Sequence, residues 1–158
     1  MFPYFFGVHI TLSLIIYLAI YLAIGFSLFQ IGKNHHLSYA WIAFIPIAQF
    51  AIIGALCEEY ILWGIRLKPL SLIMVGLALL DSVSLGGMLG FVLSLAISLL
   101  TALIYHKFFY LFEPSRATIY AILSLLGGIP IAIILYLIKD KLMCMSAAAY
   151  PYPFAEKR

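Results

Sequence analysis

The sequence predicts an all-α fold, a polytopic helical bundle in a membrane, and three observations carry that prediction. Of the 158 residues, 66% are hydrophobic and 9% charged, with a mean hydropathy of +1.15, which leaves too few polar side chains to cover a soluble globule of this size. Residues 82–105 carry no charge. At a helical rise of about 1.5 Å per residue, a stretch of that length crosses a hydrocarbon core about 30 Å thick. The apolar runs also lack the alternation of a barrel strand, and lipid satisfies no backbone group, so helices are the form left to them. The length suits one domain, residues 1–141, with a tail over 142–158.

Taken in order, 5–31 is almost uninterruptedly apolar and reads as the first span. It offers a row of small residues, Ala19, Ala23 and Ser27. Residues 32–38 form a polar connector with Lys33 and the pair His35-His36, whose plain reading is a surface loop. The run 39–56 is apolar but short, with Pro46 and Gln49 at its centre. Proline removes a backbone donor and the amide of Gln49 needs a partner at membrane depth, so a re-entrant or interfacial hairpin is expected, with Trp41 as a headgroup-level anchor. Residues 57–69 hold Glu58, Glu59, Arg66 and Lys68; on a helix Glu59 and Arg66 share a face. Trp41, Pro46, Gln49, Glu58 and Glu59 together mark a candidate ligand-binding or re-entrant region.

The run 70–80 is too short to cross alone and ends at Asp81, an expected N-cap for the central helix over 82–105, with ion coupling as its alternative role. Along that helix Ala78, Ser82, Gly86, Gly90, Ser94 and Ser98 recur every fourth place. Such a row lets a neighbouring backbone approach closely, where helices gain by van der Waals contact rather than by leaving water. The small residues of the first span are one expected partner for it. Residues 106–116 read as a second polar connector closed by Pro114, and 118–138 as the last span, which Gly127-Gly128-Ile129-Pro130 should kink or break. The expected count is three full spans, alternatively five, plus short re-entrant or interfacial helices.

The net charge of +3 comes from connectors and tail, so no nucleic-acid surface is read and the partner is the lipid bilayer. No Lys or Arg precedes the first span, whereas residues 139–158 carry four, which puts the N-terminus outside and the C-terminus in the cytoplasm. With three crossings, seven basic residues lie inside against Lys107 and Arg116 outside. Cys57 and Cys144 make neither a disulfide framework nor a metal site, and no cofactor or catalytic residue is expected.

Two resemblances bear on function. Glu58-Glu59 followed by Trp63-Gly64 is similar to the paired-glutamate motif of intramembrane proteases of the CAAX-processing and abortive-infection type, with Trp63 where those have arginine. The resemblance implies a glutamate as general base for a water and histidines from later helices, of which this chain supplies His106 alone. More of the chain, IGKNHHLSYAWIAFIPIAQFAIIGALCEEY and LFEPSRATIYAILSLLGGIPIAIILYLIKDK, resembles small, uncharacterised multispan membrane proteins of Gram-positive bacteria, with Gln49 where such proteins usually have Asn. That likeness implies a bacterial cytoplasmic membrane and names no activity. The expected function is a non-enzymatic interaction or accessory protein that binds a membrane-protein partner or a second copy of itself. A small transporter or channel is the alternative, and a glutamate or zinc protease the second alternative.

Overall fold

In a computed structural model of the chain the described residues are 2–62, 65–82, 87–144 and 150–151, with residues 2–10 described as backbone only. They form six α-helices, one 3₁₀ helix and one small hairpin of strands. In chain order these are α1 (Phe2–Asn34), the 3₁₀ helix (Ala40–Phe44), α2 (Gln49–Cys57), β1 (Tyr60–Leu62), β2 (Ile65–Leu67), α3 (Leu70–Ser82), α4 (Gly87–Phe112), α5 (Ala117–Ser124) and α6 (Gly128–Ile138). The all-α expectation holds at this level. Two helices, α1 over Thr11–Asn34 and α4, are long and apolar enough to cross a membrane.

Contacts at the helix ends fix how the elements run. The Asn34 side-chain amide donates to the Lys139 carbonyl at 3.0 Å, the His35 ring meets Phe112 edge-on at 5.6 Å, and the Cys144 N–H donates to the Leu111 carbonyl at 2.8 Å. The C-terminal ends of α1, α4 and α6 therefore lie together, at what we call the polar end. From there α5 runs back along α4, the chain turns at Gly127, and α6 returns along α1 with Gly128 against Ile20. Both ends of this α5–α6 hairpin sit at the polar end.

A second hairpin has the same plan. After α1 the 3₁₀ helix runs back down it, Ala40 beside Gly32 and Ala43 beside Gly25, where a Cβ would lie 3.0 Å from Ala40 Cβ and from the Ala43 carbonyl oxygen respectively. The chain turns through Pro46 and Ile47, whose φ of +68° is the left-handed region that a β-branched residue rarely adopts, and α2 climbs back. The sequence Ile-Pro-Ile-Ala opens the returning arm in both hairpins, at 45–48 and 129–132. From α2 the chain passes through β1 and β2 at the polar end and re-enters as α3, which lies so close to α2 that a Cβ on Gly54 would be 2.6 Å from the backbone of Leu70 and Ser71.

The buried side chains collect toward the polar end. Tyr60, Phe108, Phe109, Phe112, Leu28, Ile31, Ile52, Ile53 and Leu70 are all fully covered there, whereas Leu12, Leu14, Met88, Leu89 and Phe91 are exposed. Rings stack in a chain, Tyr105 on Phe109, Phe109 on Tyr120 and Phe108 on Phe112. The aromatic run of α4 is what the other elements close over.

Several expectations need correcting. The central helix starts at Gly87 and continues to Phe112, so 106–112 is helix and only Glu113–Arg116 is connector, closed by the turn at Pro114. Asp81 lies in the last turn of α3, not at the N-terminus of the central helix, which begins at Gly87. Residues 60–67 are strands paired Tyr60 with Leu67 and Ile61 with Arg66, so Glu59 and Arg66 share no helix face. The run 118–138 is not one span: Gly127, at φ +120°, divides it into helices of 8 and 11 residues, each too short to cross alone. The break near Pro46 falls where the sequence puts it, and the 9-residue α2 is no full span.

Candidate functional site

The two hairpin tips approach a cleft of about 220 Å³ between α3 and α4. Phe50 reaches it from the start of α2, Ser124 and Leu125 from the end of α5, Met74, Ala78 and Asp81 from α3, and Ser98, Thr101 and Tyr105 from α4. Among its lining residues Asp81 is the only acidic or basic one. Its carboxylate accepts from the Ser94 hydroxyl at 3.3 Å, which ties the foot of α3 to α4. Ser82 next to it turns back, its hydroxyl donating to the Leu79 carbonyl at 2.6 Å.

From that carboxylate a line of hydroxyls climbs α4. Ser94, Ser98, Thr101 and Tyr105 stand at i, i+4, i+7 and i+11, on one face of a helix, over a rise of about 16 Å toward the polar end. Hydroxyls both donate and accept, so such a line serves a cation by its lone pairs or a proton by exchange. Thr101, Tyr105 and Ser124 were not singled out from the sequence. The signal was the hydroxyl spacing, hidden beneath the fourth-place recurrence of small residues that runs through the same serines.

The other sequence-selected residues fall elsewhere. Ala78 and Ser98 line the cleft and Ser94 binds Asp81, so these members of the small-residue row face each other across α3 and α4; Gly86 lies outside the described residues. Among the described residues the first span packs chiefly against α6 and the 3₁₀ helix. Trp41 is exposed on the 3₁₀ helix and Pro46 forms the first hairpin's tip. Gln49 opens α2; its Oε1 is buried with no hydrogen-bond partner among the described residues, and its neighbour Phe50 is the one that reaches the cleft.

Glu58 and Glu59 sit at the opposite end of α3 from Asp81, about 16 Å away along the helix axis. Glu58 is exposed at the C-terminus of α2, and the carbonyl of Glu59 accepts from the fully buried Lys107 ammonium at 2.5 Å. Trp63 and Gly64, needed for the protease-like motif, lie outside the described residues, and among the described residues no three His, Cys, Asp or Glu side chains converge. His106 turns to two hydroxyls, Tyr150 at 2.6 Å and Thr118 at 3.2 Å. Lys107 also stands over the Tyr150 ring, 5.7 Å from its centre, so the buried Tyr150 of the tail packs on α4.

Outside the long helices, Glu113 accepts from Lys141 at 2.6 Å and pairs with Arg116 at 3.2 Å. The hydrogen bond from Lys141, with the positive charge of both partners, holds its carboxyl below the usual carboxylate range. Burial, and then the neighbouring His36, lower the His35 imidazole.

What the geometry defines is an all-α chain with two membrane-length helices and two helical hairpins entered from one end. No protein-family model matches the chain, and no curated protein or solved structure matches it either.

Proposed function

We propose that the chain is an integral membrane protein that binds a small cation at Asp81 and passes it along the hydroxyl line of α4. The observation that carries this reading is the cleft itself: one carboxylate and a file of hydroxyls, with no Lys or Arg in the lining, where two broken helices end. A carboxylate held in a bilayer costs about 2.5–3.5 kcal/mol on insertion scales, and a bound cation offsets that cost. Discontinuous helices ending beside such a group leave backbone groups free to bind ions.

In this reading α1 and α4 cross the membrane, α3, too short to span it alone, returns the chain toward the start of α4, and both hairpins are re-entrant. All seven described Lys and Arg residues then lie at or beside the polar end, including Lys107 and Arg116, and the positive-inside rule supports reading that end as cytoplasmic and the N-terminus as outside. The first half of α4, exposed around most of its circumference with Gly90 and Ser94 on it, supports the second reading of a partner-binding bundle.

Flux measured in proteoliposomes separates the two. Sodium, potassium or proton uptake above that of protein-free vesicles, falling at least tenfold in Asp81→Asn and less in Thr101→Val, is the expected result. No uptake, or uptake indifferent to Asp81→Asn, leaves the partner-binding reading in its place.

A further inference from the structure

A second cavity, which shares Leu125 with the cation cleft, lies on the other side of α4 and α5 beneath β1. Its volume is about 680 Å³, and its walls are Ala96, Leu99 and Leu103 of α4 with Ala121 and Ile122 of α5, capped by Leu62. Small alanines at 96, 102 and 121 leave the room, and Leu99 and Ile122 are each more than half exposed, so it opens sideways. Polarity is confined to one end. There His106 and Thr118 meet at 3.2 Å, the only lining residues with polar side chains.

We infer that this groove binds one anionic phospholipid, the acyl chains along α4 and the phosphate at the His106–Thr118 mouth. Shape and charge both select that occupant. From Ala96 to His106 the groove follows α4 for about 15 Å. Along that length the lining is apolar and the groove opens sideways, a shape that acyl chains lying along the helix can fill. The mouth lies at the polar end, where seven Lys and Arg face four carboxylates among the described residues. Arg116, two residues before Thr118 though not itself in the groove wall, has a side chain 64% exposed; it pairs through Nε with Glu113 and also meets Tyr120, and the remaining N–H donors of its fork are open to a phosphate nearby. Basic sites between membrane helices hold anionic headgroups by this combination.

Native mass spectrometry of the full chain, released from detergent with phosphatidylglycerol or phosphatidylcholine added, tests it. The expected result is one retained phosphatidylglycerol per chain, preferred at least tenfold over phosphatidylcholine. Ala96→Trp, which fills the groove, should cut retention at least fivefold, and Leu89→Trp, exposed on α4 outside it, should not. Arg116→Gln should abolish the headgroup preference; it removes a surface guanidinium and its ion pair with Glu113 while leaving the groove wall unchanged, and decides the matter should Ala96→Trp fail to fold. Retention equal for both lipids, or unchanged in Ala96→Trp and Arg116→Gln, identifies ordinary annular lipid and overturns the site.

Discussion

A lysine with no solvent exposure must satisfy its ammonium from within the protein, and Lys107 does so with the Glu59 carbonyl and the face of Tyr150. Hydrogen bonds to a charged group contribute about 1.5–3 kcal/mol. Lys107→Met keeps the length of the side chain and removes the donor, so it should lower stability by roughly that amount, read as a fall in the thermal midpoint of the purified protein. Glu113 makes a prediction in pH. Its folded carboxyl titrates below its unfolded value of about 4.3, so the stability it contributes is complete above that value and is lost as pH falls through the lower folded one. Lys141→Ala removes the first cause of the shift; the gap in thermal midpoint between wild type and variant should therefore be widest above pH 5 and close toward pH 3. A constant gap across that range would assign Lys141 a role other than its pairing with Glu113.

Helix packing turns on one glycine. Gly54 lets α2 and α3 lie with backbones touching, and a Cβ there would meet Leu70 and Ser71 backbone at 2.6 Å, where no side chain can move aside. Gly54→Ala should cost about 1–3 kcal/mol through overpacking. Gly76→Ala, with nothing within 4 Å of its Cβ, should instead gain up to about 1 kcal/mol of helix propensity. Opposite signs in two thermal melts are the check. Of the elements, the two breaks were legible, because Pro46 and Gly127-Gly128-Ile129-Pro130 offer a local reason for the backbone to turn. The β1–β2 hairpin was not. Tyr60-Ile61-Leu62 and Ile65-Arg66-Leu67 are three residues each, too short for a period of two to declare itself against 3.6. The boundary between α3 and α4 was equally hidden, since no charge or proline marks the passage from Ser82 to Gly87. Asp81 consequently read as a cap, and its bond to Ser94 thirteen residues on is a tertiary contact that no local pattern encodes.

At the scale of the whole molecule, direction decides more than length. Hydropathy alone gives 118–138 enough apolar residues to cross, and nothing in composition says that it returns; the Asn34–Lys139 and Cys144–Leu111 hydrogen bonds say so. The repeated Ile-Pro-Ile-Ala was the one available hint, because 45–48 and 129–132 then ask for the same geometry, and a hairpin suspected at the first implies one at the second. The consequence is sharp for topology. If 118–138 crossed, Ser115 would face the side opposite Ser38; with both hairpins re-entrant, Ser38 and Ser115 share a side. In a background with Cys57 and Cys144 replaced by serine, Ser38→Cys and Ser115→Cys should both resist a membrane-impermeant thiol reagent applied to intact cells and both react in inverted vesicles. Labelling of Ser115→Cys alone from outside would restore the last crossing, separate Arg116 from the other basic residues, and remove the charge argument for the cytoplasmic polar end. Shared protection leaves Asp81 approached only through the bundle or from the far side, which is the arrangement a cation pathway along Ser94, Ser98, Thr101 and Tyr105 requires.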